Sequence, residues 1–384
     1  MKVLYSHFGR EGKDGWGRSF YMAKAMANLG HEVVFLTNKE KFSFFRIDKK
    51  NIHNVKVIAF PDIIPSKLKS SGFGLLSIIG KILYSASHKF DLVIADCGHR
   101  STGLPCKINR FLYKSTYFSE WWDYFGAGGY YDNKPLLFKI LYGWIEKKAE
   151  INDKLNADGV IVLSKLMKNR ALQNGVKNVI IVHGGCLINE IKASRFNTKN
   201  DNKINFCYIG MAESEIIELD PFLKALSNPD FKNEIRFITF GSYLRPQIIE
   251  KYKLNGIVEE RGWIDYLKNV DKLDDVDVYV QIRRDNILSI AGWPNKLGDY
   301  MSNGKPILLF PYGDLVSFIS DNPDGFITVN YEIESISLKI KEIISGKYDL
   351  LKMGKINRGI AEKNSWESKA LEIIKFRNNL IYEK

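Results

Sequence analysis

Hydrophobic and polar positions along the chain follow two alternating rhythms. Short runs rich in β-branched and aromatic residues recur throughout. Between them the apolar positions fall at helical spacing. In the first half the runs cover residues 3–6, 32–36, 55–59, 91–95, 115–118, 159–163 and 179–182, with helical segments such as 19–29 and 165–174 between them. In the second half they cover 204–210, 235–241, 277–281, 306–310 and 325–329. Short strands separated by helices predict a parallel sheet covered on both faces. A polar stretch at 193–203, rich in Asn, Lys and Asp and without apolar period, separates the two series. The prediction is an α/β chain of two tandem doubly wound, Rossmann-like domains, residues 1–190 and 191–365. A last helix, 366–384, is expected to cross back to the first domain. In doubly wound sheets ligands lie beyond the carboxyl ends of the strands. The expected site is therefore a central cleft that both domains face.

A length of 384 residues suits two domains, and 45% hydrophobic with 26% charged residues is an ordinary globular composition. Met1-Lys2 runs straight into the first strand, and the longest apolar stretch, 72–86, is broken by Lys81. The expectation is a cytoplasmic protein without leader or membrane span. The four cysteines, Cys97, Cys106, Cys186 and Cys207, are scattered, with no metal-ligand spacing, and fit buried thiols of a reducing compartment. The net charge of +12 is lopsided. Residues 1–190 hold 28 Lys and Arg against 16 Asp and Glu, and the rest of the chain is balanced. One half is thus expected to face something anionic.

Two places carry candidate chemistry. The loop after the first strand, residues 7–19, holds Gly9, Gly12, Gly15 and Gly17 and leads into a helix with Arg18 and Ser19 in its first turn. Glycines let amides approach a ligand, and a helix start favours anions, so Gly15, Gly17 and Arg18 are candidate phosphate contacts. The pattern is neither a P-loop nor a good dinucleotide fingerprint, and a plain surface loop also fits. The second place is "GWPNKLGDYMSNGKPILLF", 292–310. Pro294 suits an early helix position with outward amides behind it. Asn295 and Lys296 follow, and Lys296 adds a full charge beside those amides, which suits a diphosphate. Asp299 lies on the same helix face and can accept from two ribose hydroxyls. A surface salt bridge between Lys296 and Asp299 is the alternative.

The same fragment resembles the nucleotide-sugar motif of GT-B fold glycosyltransferases of the retaining family 4 group, associated with bacterial surface polysaccharides. That family shows Glu-x7-Glu with the second Glu five residues before Gly-x-Pro, which places it at Asp299. "DGVIVLSKLMKNRALQNGVKNVIIVHGG", 158–185, and "GWGRSFYMAKAMANLGHEVVFLT", 15–37, resemble its inter-domain passage and its first helix and second strand. The resemblance covers nearly the whole chain in order and spacing. It implies a nucleoside-diphosphate-sugar donor on the second domain, an acceptor mainly on the first, retention of configuration, and neither metal nor other cofactor. Two departures stand out. The first Glu of the motif is replaced by Ala291. The bases expected after Gly210 are replaced by Met211-Ala-Glu-Ser-Glu215. Arg283 and Arg284, at the end of the strand at 277–281, are expected to neutralise the diphosphate with Lys296. The family keeps a His near a first-domain strand end, and His99 is expected there, or Glu120 in its place, to orient the transferred sugar or the acceptor hydroxyl. Asp123 lies in the same stretch, among aromatics such as Trp121, Trp122 and Tyr124 that could stack on sugars or pack the core.

Segment 134–154 places Leu136, Leu137, Ile140, Leu141, Trp144 and Ile145 on one helical face beside Lys139, Lys147 and Lys148, and 67–89 is similar. Such faces suit an anionic bilayer or, alternatively, a domain core. The expectation is a glycosyltransferase peripheral on the inner membrane face, acting on a lipid-linked or glycan acceptor. A catalytically degenerate relative, a sugar-nucleotide epimerase and an inverting transferase are the alternatives. A nucleic-acid binder ranks last, because no recognition motif accompanies the pI of about 9.2.

Overall fold

The computed structural model describes every residue except 14–15, 42–45, 65–73, 98–99, 127–128, 195–201, 211–212, 266–267 and 383–384. Its contacts divide the chain into two units. The first takes Met1–Gly184, Ile290–Trp293 and Trp366–Lys384; the second takes Gly185–Ser289 and Pro294–Ser365. The boundary falls at Gly184/Gly185 rather than at residue 190.

The first unit contains β1 (Lys2–Arg10), β2 (Glu32–Asn38), β3 (Asp48–Ile52), β4 (Val55–Phe60), β5 (Leu92–Ala95), β6 (Thr116–Trp121), β7 (Gly159–Val162) and β8 (Val179–Ile181). They form one sheet in the order β3-β4-β2-β1-β5-β6-β7-β8, parallel except that β3 runs antiparallel to β4. Sequence periodicity does not reveal β3. Its residues, DKKNI, are polar and mostly exposed, because it covers an edge rather than a core. The central strands read as apolar runs because they are buried on both faces: Val3, Leu4, Tyr5 and all of β5 are fully covered. Helices α1 (Trp16–Asn28), α2 (Leu75–Ala86), α3 (Arg100–Tyr113), α4 (Trp144–Leu155) and α5 (Lys165–Gln173) connect the strands. Ser164 caps α5 by accepting from the Met167 amide at 3.3 Å. Lys81, which interrupts the apolar stretch before residue 86, is fully buried and donates to the His7 carbonyl at 2.7 Å. Burial pushes its pKa down to about 7.

The second unit has a six-stranded parallel sheet: β9 (Ile204–Gly210), β10 (Ile235–Gly241), β11 (Val258–Glu260), β12 (Val278–Gln281), β13 (Ile307–Leu309) and β14 (Phe326–Thr328), in the order β11-β10-β9-β12-β13-β14. Its core gathers Phe206, Phe222, Phe237, Leu308 and Ile340, each fully buried. Such a side chain stabilises by roughly 1.5–3 kcal/mol. The helix predicted behind Pro294 is α6 (Asn295–Asn303). Pro294 is its cap residue, with no side-chain capping bond, and Gly304 ends it in the left-handed region at φ 71°. The last helix, α7 (Trp366–Tyr382), belongs to the first unit and packs on α1. Among the described residues no helix is long and apolar enough to cross a membrane. All four cysteines are buried and free.

Candidate functional site

In the second unit strand order reverses at β9, which has β10 on one side and β12 on the other. Doubly wound sheets hold ligands at the carboxyl ends beside such a point. There β9 and β10 end in paired glycines, Gly210 and Gly241. Both have φ values reserved for glycine, +135° and +113°. A Cβ on Gly241 would strike the Gly210 carbonyl, and one on Gly210 would strike the Lys296 ammonium. Gly210 therefore leaves open the space into which Lys296 reaches from the first turn of α6. The helix is held there by Tyr300, whose hydroxyl accepts from the Ile209 amide at 3.1 Å and whose ring stacks on Tyr279 at 4.1 Å.

Lys296 donates to the Tyr208 hydroxyl at 3.0 Å and forms a short ion pair with Glu215. Burial holds its pKa below the usual lysine range; Glu215 opposes that shift, and Arg283 adds to it. Arg283 follows β12 and also acts on Tyr208 and Tyr312. The structure thus pairs Lys296 with Glu215 and brings Arg283 within electrostatic reach of Lys296. Asp299, half-buried one turn along α6, bears electrostatically on Lys296. Asn295 is exposed at the first position of α6. Arg284 was the other base expected at the diphosphate. It is exposed, its Nε donates to the Tyr331 hydroxyl at 3.4 Å, and its amide donates to Glu218. Sequence reading noted that bases are missing after Gly210. It did not show that an acid of that stretch, Glu215, takes Lys296. Those two residues are 81 positions apart.

Ala291 belongs to the first unit and is 1% exposed in a cluster with Trp121, Val162 and Met167. Its carbonyl accepts from the Ser164 hydroxyl at 2.9 Å. A glutamate at 291 would place a carboxylate among these apolar groups, which is costly without a partner.

In the first unit the strand order reverses at β1, between β2 and β5. β1 is longer than predicted, so His7 and Gly9 lie in a strand and not in a loop. Gly15 and His99 fall outside the described residues. Gly17 is the second residue of α1, where a Cβ would meet only the Tyr21 ring at an ordinary 3.7 Å, so no close approach requires glycine there. Arg18 is buried, and its Nη2 donates to the Val182 carbonyl at 3.1 Å and to Glu120 at 3.5 Å. Glu120 lies within β6 instead of beyond it and is fully buried. The Tyr5 hydroxyl and Arg18 occupy its carboxylate, so in this conformation it meets no sugar or acceptor. Burial nevertheless raises its pKa, against the pull of Arg18. Asp123, beyond β6, is half-buried, and burial raises its pKa to about 6. Its loop is clamped by Arg170, whose guanidinium lies over the Trp121 and Tyr124 rings at 4.6 and 4.2 Å. Sequence reading passed over His7 and Asp96, which form a buried hydrogen-bonded pair. Among the described residues no three His, Cys, Asp or Glu gather as metal ligands.

No protein-family model matches the chain, and neither does any curated protein sequence. Solved structures do. Sucrose-phosphate synthase from Thermosynechococcus elongatus superposes with a TM-score of 0.71 at 14% identity, covering 100% of both chains. The lipopolysaccharide outer core galactosyltransferase WaaB, in its apo form, gives 0.61 at 17% identity, covering 100% of this chain and 99% of that one. Anabaena HepE in complex with UDP gives 0.65 at 13% identity, covering 99% and 100%. At these identities the likeness shows the fold, an α/β chain of two Rossmann-like units as in GT-B glycosyltransferases.

Proposed function

We propose that the protein transfers a sugar from a nucleoside-diphosphate donor to a hydroxyl of a lipid-linked or glycan acceptor. The observation that carries this reading is Lys296 beside Gly210 at the carboxyl end of β9, with Arg283 within electrostatic reach of it. Two cations beside a helix start are what a leaving diphosphate needs, because stabilising charge that develops in the transition state is the main electrostatic task of such a transfer. In this reading Lys296 and Arg283 hold the diphosphate, Asp299 accepts from the ribose, Asn295 offers its amide, and no cofactor beyond the donor takes part. Glu215 holds the place of the phosphates until they arrive. The solved complex of HepE with UDP-glucose, a protein of the same fold, supports the donor class. Position 291, where the resembled motif has its first Glu, is closed apolar packing instead of a carboxylate.

The acceptor belongs to the first unit, whose excess charge suits an anionic membrane surface. Leu136, Leu137, Ile140 and Trp144 are each more than 60% exposed, and Lys139, Lys147 and Lys148 beside them are exposed too. This arrangement suits a helix lying in the headgroup layer on the inner face of a membrane. Ala291 and the Glu215 contact favour one alternative, a degenerate relative that binds donors without turning them over. A thermal-shift screen of nucleoside diphosphates and their sugars tests the donor site, since a ligand at 100 times its Kd stabilises by about 2.7 kcal/mol. A set in which no nucleotide raises Tm contradicts the proposal.

A further inference from the structure

The first unit has a cavity of about 780 Å³ at the amino-terminal edge of its sheet, beside Asp91, Thr116 and Asp158 at the starts of β5, β6 and β7. Doubly wound sheets hold their substrates at the opposite, carboxyl edge. The volume is that of a small-molecule site, roughly 300–1,000 Å³. Five cations line it: Lys89 beyond α2, Lys107, Arg110 and Lys114 on α3 and just past it, and Arg377 on α7. Two of them are committed. Arg110 pairs with Asp158 at 2.9 Å and also donates to the Asn156 carbonyl at the end of α4; Lys107 pairs with the buried Asp153 at 3.0 Å. The other three are not. Lys89 and Lys114 are exposed and make no hydrogen bond or ion pair among the described residues. Arg377 donates to the Asp91 carbonyl at 3.3 Å and to the Asn378 side chain at 3.5 Å, and forms no ion pair among the described residues. Its Nε is buried without a partner there, and a buried donor left open calls for a reason.

Asp91 is the remaining carboxylate of the lining, and it accepts from the Lys2 amide at 2.7 Å. With the ion pairs counted as neutral, Lys89, Lys114 and Arg377 stand against Asp91 alone, a surplus of two positive charges. The carboxyl end of α3, at Tyr113, carries about half a negative charge and offsets only part of that surplus. Apolar surface adjoins it: Phe111, 77% exposed, and Ile381, 44% exposed, line the same cavity. We infer that the cavity is a binding site for a phosphate monoester that carries an apolar or ring-shaped group, separate from the donor site and independent of the transfer reading. A monoester brings about 1.5–2 negative charges at neutral pH and three acceptor oxygens. Arg377, with a donor still open, and the long-stemmed ammonium groups of Lys89 and Lys114 supply charge-assisted hydrogen bonds to them. The organic part lies against Phe111. A soluble metabolite and a phosphatidate headgroup share this chemistry. Either ligand ties α7 to α3.

Isothermal titration of the full chain with phenyl phosphate tests the site, beside flotation with phosphatidate vesicles and with phosphatidylglycerol vesicles of equal charge. Phenyl phosphate should bind at millimolar concentration or below, in Lys296→Ala as in wild type. Its Kd should rise by about tenfold or more in Arg377→Gln and in the double variant Lys89→Glu, Lys114→Glu. Both lysines are exposed, so the double variant tests the site even where Arg377→Gln loosens α7. Phenyl sulfate, with a single charge, should bind less tightly, and the monoester should lose affinity below about pH 6, where its second proton returns. Preference for phosphatidate vesicles with the same losses in the variants, and no binding of phenyl phosphate, would make the ligand a lipid headgroup and keep the site. Binding of neither, or binding that both variants leave unchanged, overturns the inference and leaves these cations to offset helix ends. Loss of phenyl phosphate binding in Lys296→Ala overturns it as well, because the ester then sits in the donor site, and leaves the transfer reading standing.

Discussion

Replacing Glu215 by Gln keeps the size of the side chain and removes the charge that occupies Lys296. The two side chains are 26% and 29% exposed, so the pair is neither fully screened nor dry. Unit charges about 4 Å apart interact by roughly 4 kcal/mol at an effective dielectric of 20. Desolvation and residual screening leave a net worth of about 1–2 kcal/mol. A diphosphate that reaches Lys296 must displace this carboxylate, and that worth is subtracted from its binding. Glu215→Gln should therefore tighten nucleoside-diphosphate binding roughly 5- to 30-fold by isothermal titration calorimetry. The gain should shrink as salt rises. It should also shrink on the alkaline side, because Glu215 opposes the burial that lowers the Lys296 pKa, and without it the ammonium is lost at lower pH. Unchanged or weaker binding in the variant would refute the reasoning and make Glu215 a support that aims Lys296, not its competitor.

Three further outcomes are expected. Asp299→Asn should weaken nucleoside-diphosphate binding by about 1.5–3 kcal/mol in the same titration, and an unchanged Kd would return Asp299 to a surface salt bridge with Lys296. Lys81 has a pKa near 7 in the fold against 10.5 unfolded, so between those values the unfolded chain binds more protons and stability should rise with pH, by about 1.4 kcal/mol per unit. Lys81→Met should remove that contribution from urea unfolding curves, leaving those of the same sign from other buried lysines such as Lys305, which burial holds at about 8 and which acts over a narrower pH window. Reversing Lys139, Lys147 and Lys148 to Glu should weaken binding to acidic vesicles, at about 1 kcal/mol per lysine near the surface, with donor affinity unchanged; equal vesicle binding would rule this helix out as the contact.

The architecture was legible because burial on both faces turns central strands such as 3–5 and 92–95 into plain apolar runs. The edge strands β3 and β11 were not, since a strand that covers no core keeps no apolar alternation. Lys296 and Asp299 stood out because local chemistry brackets them: a proline before the helix and a left-handed glycine after it. Partners distant in sequence did not. Nothing near Lys296 announces Glu215, and nothing near His7 announces Asp96, 89 positions away. Glu120 was misread for a related reason. Reaching position 121, the strand carries a charged residue inside the fold, tolerated because Tyr5 and Arg18, both from the start of the chain, satisfy it.

Lys296 is the group proposed to meet the diphosphate, and the transfer depends on it most. The direct measurement is nucleoside-diphosphate release from a panel of nucleotide sugars with an acceptor extract, comparing wild type with Lys296→Ala. Wild type should turn over at least one donor, and the variant should be slower by about 10²-fold or more while keeping its Tm, the scale of losing one preorganised electrostatic donor. Equal rates in the two proteins would remove Lys296 from the reaction, and with it the central claim.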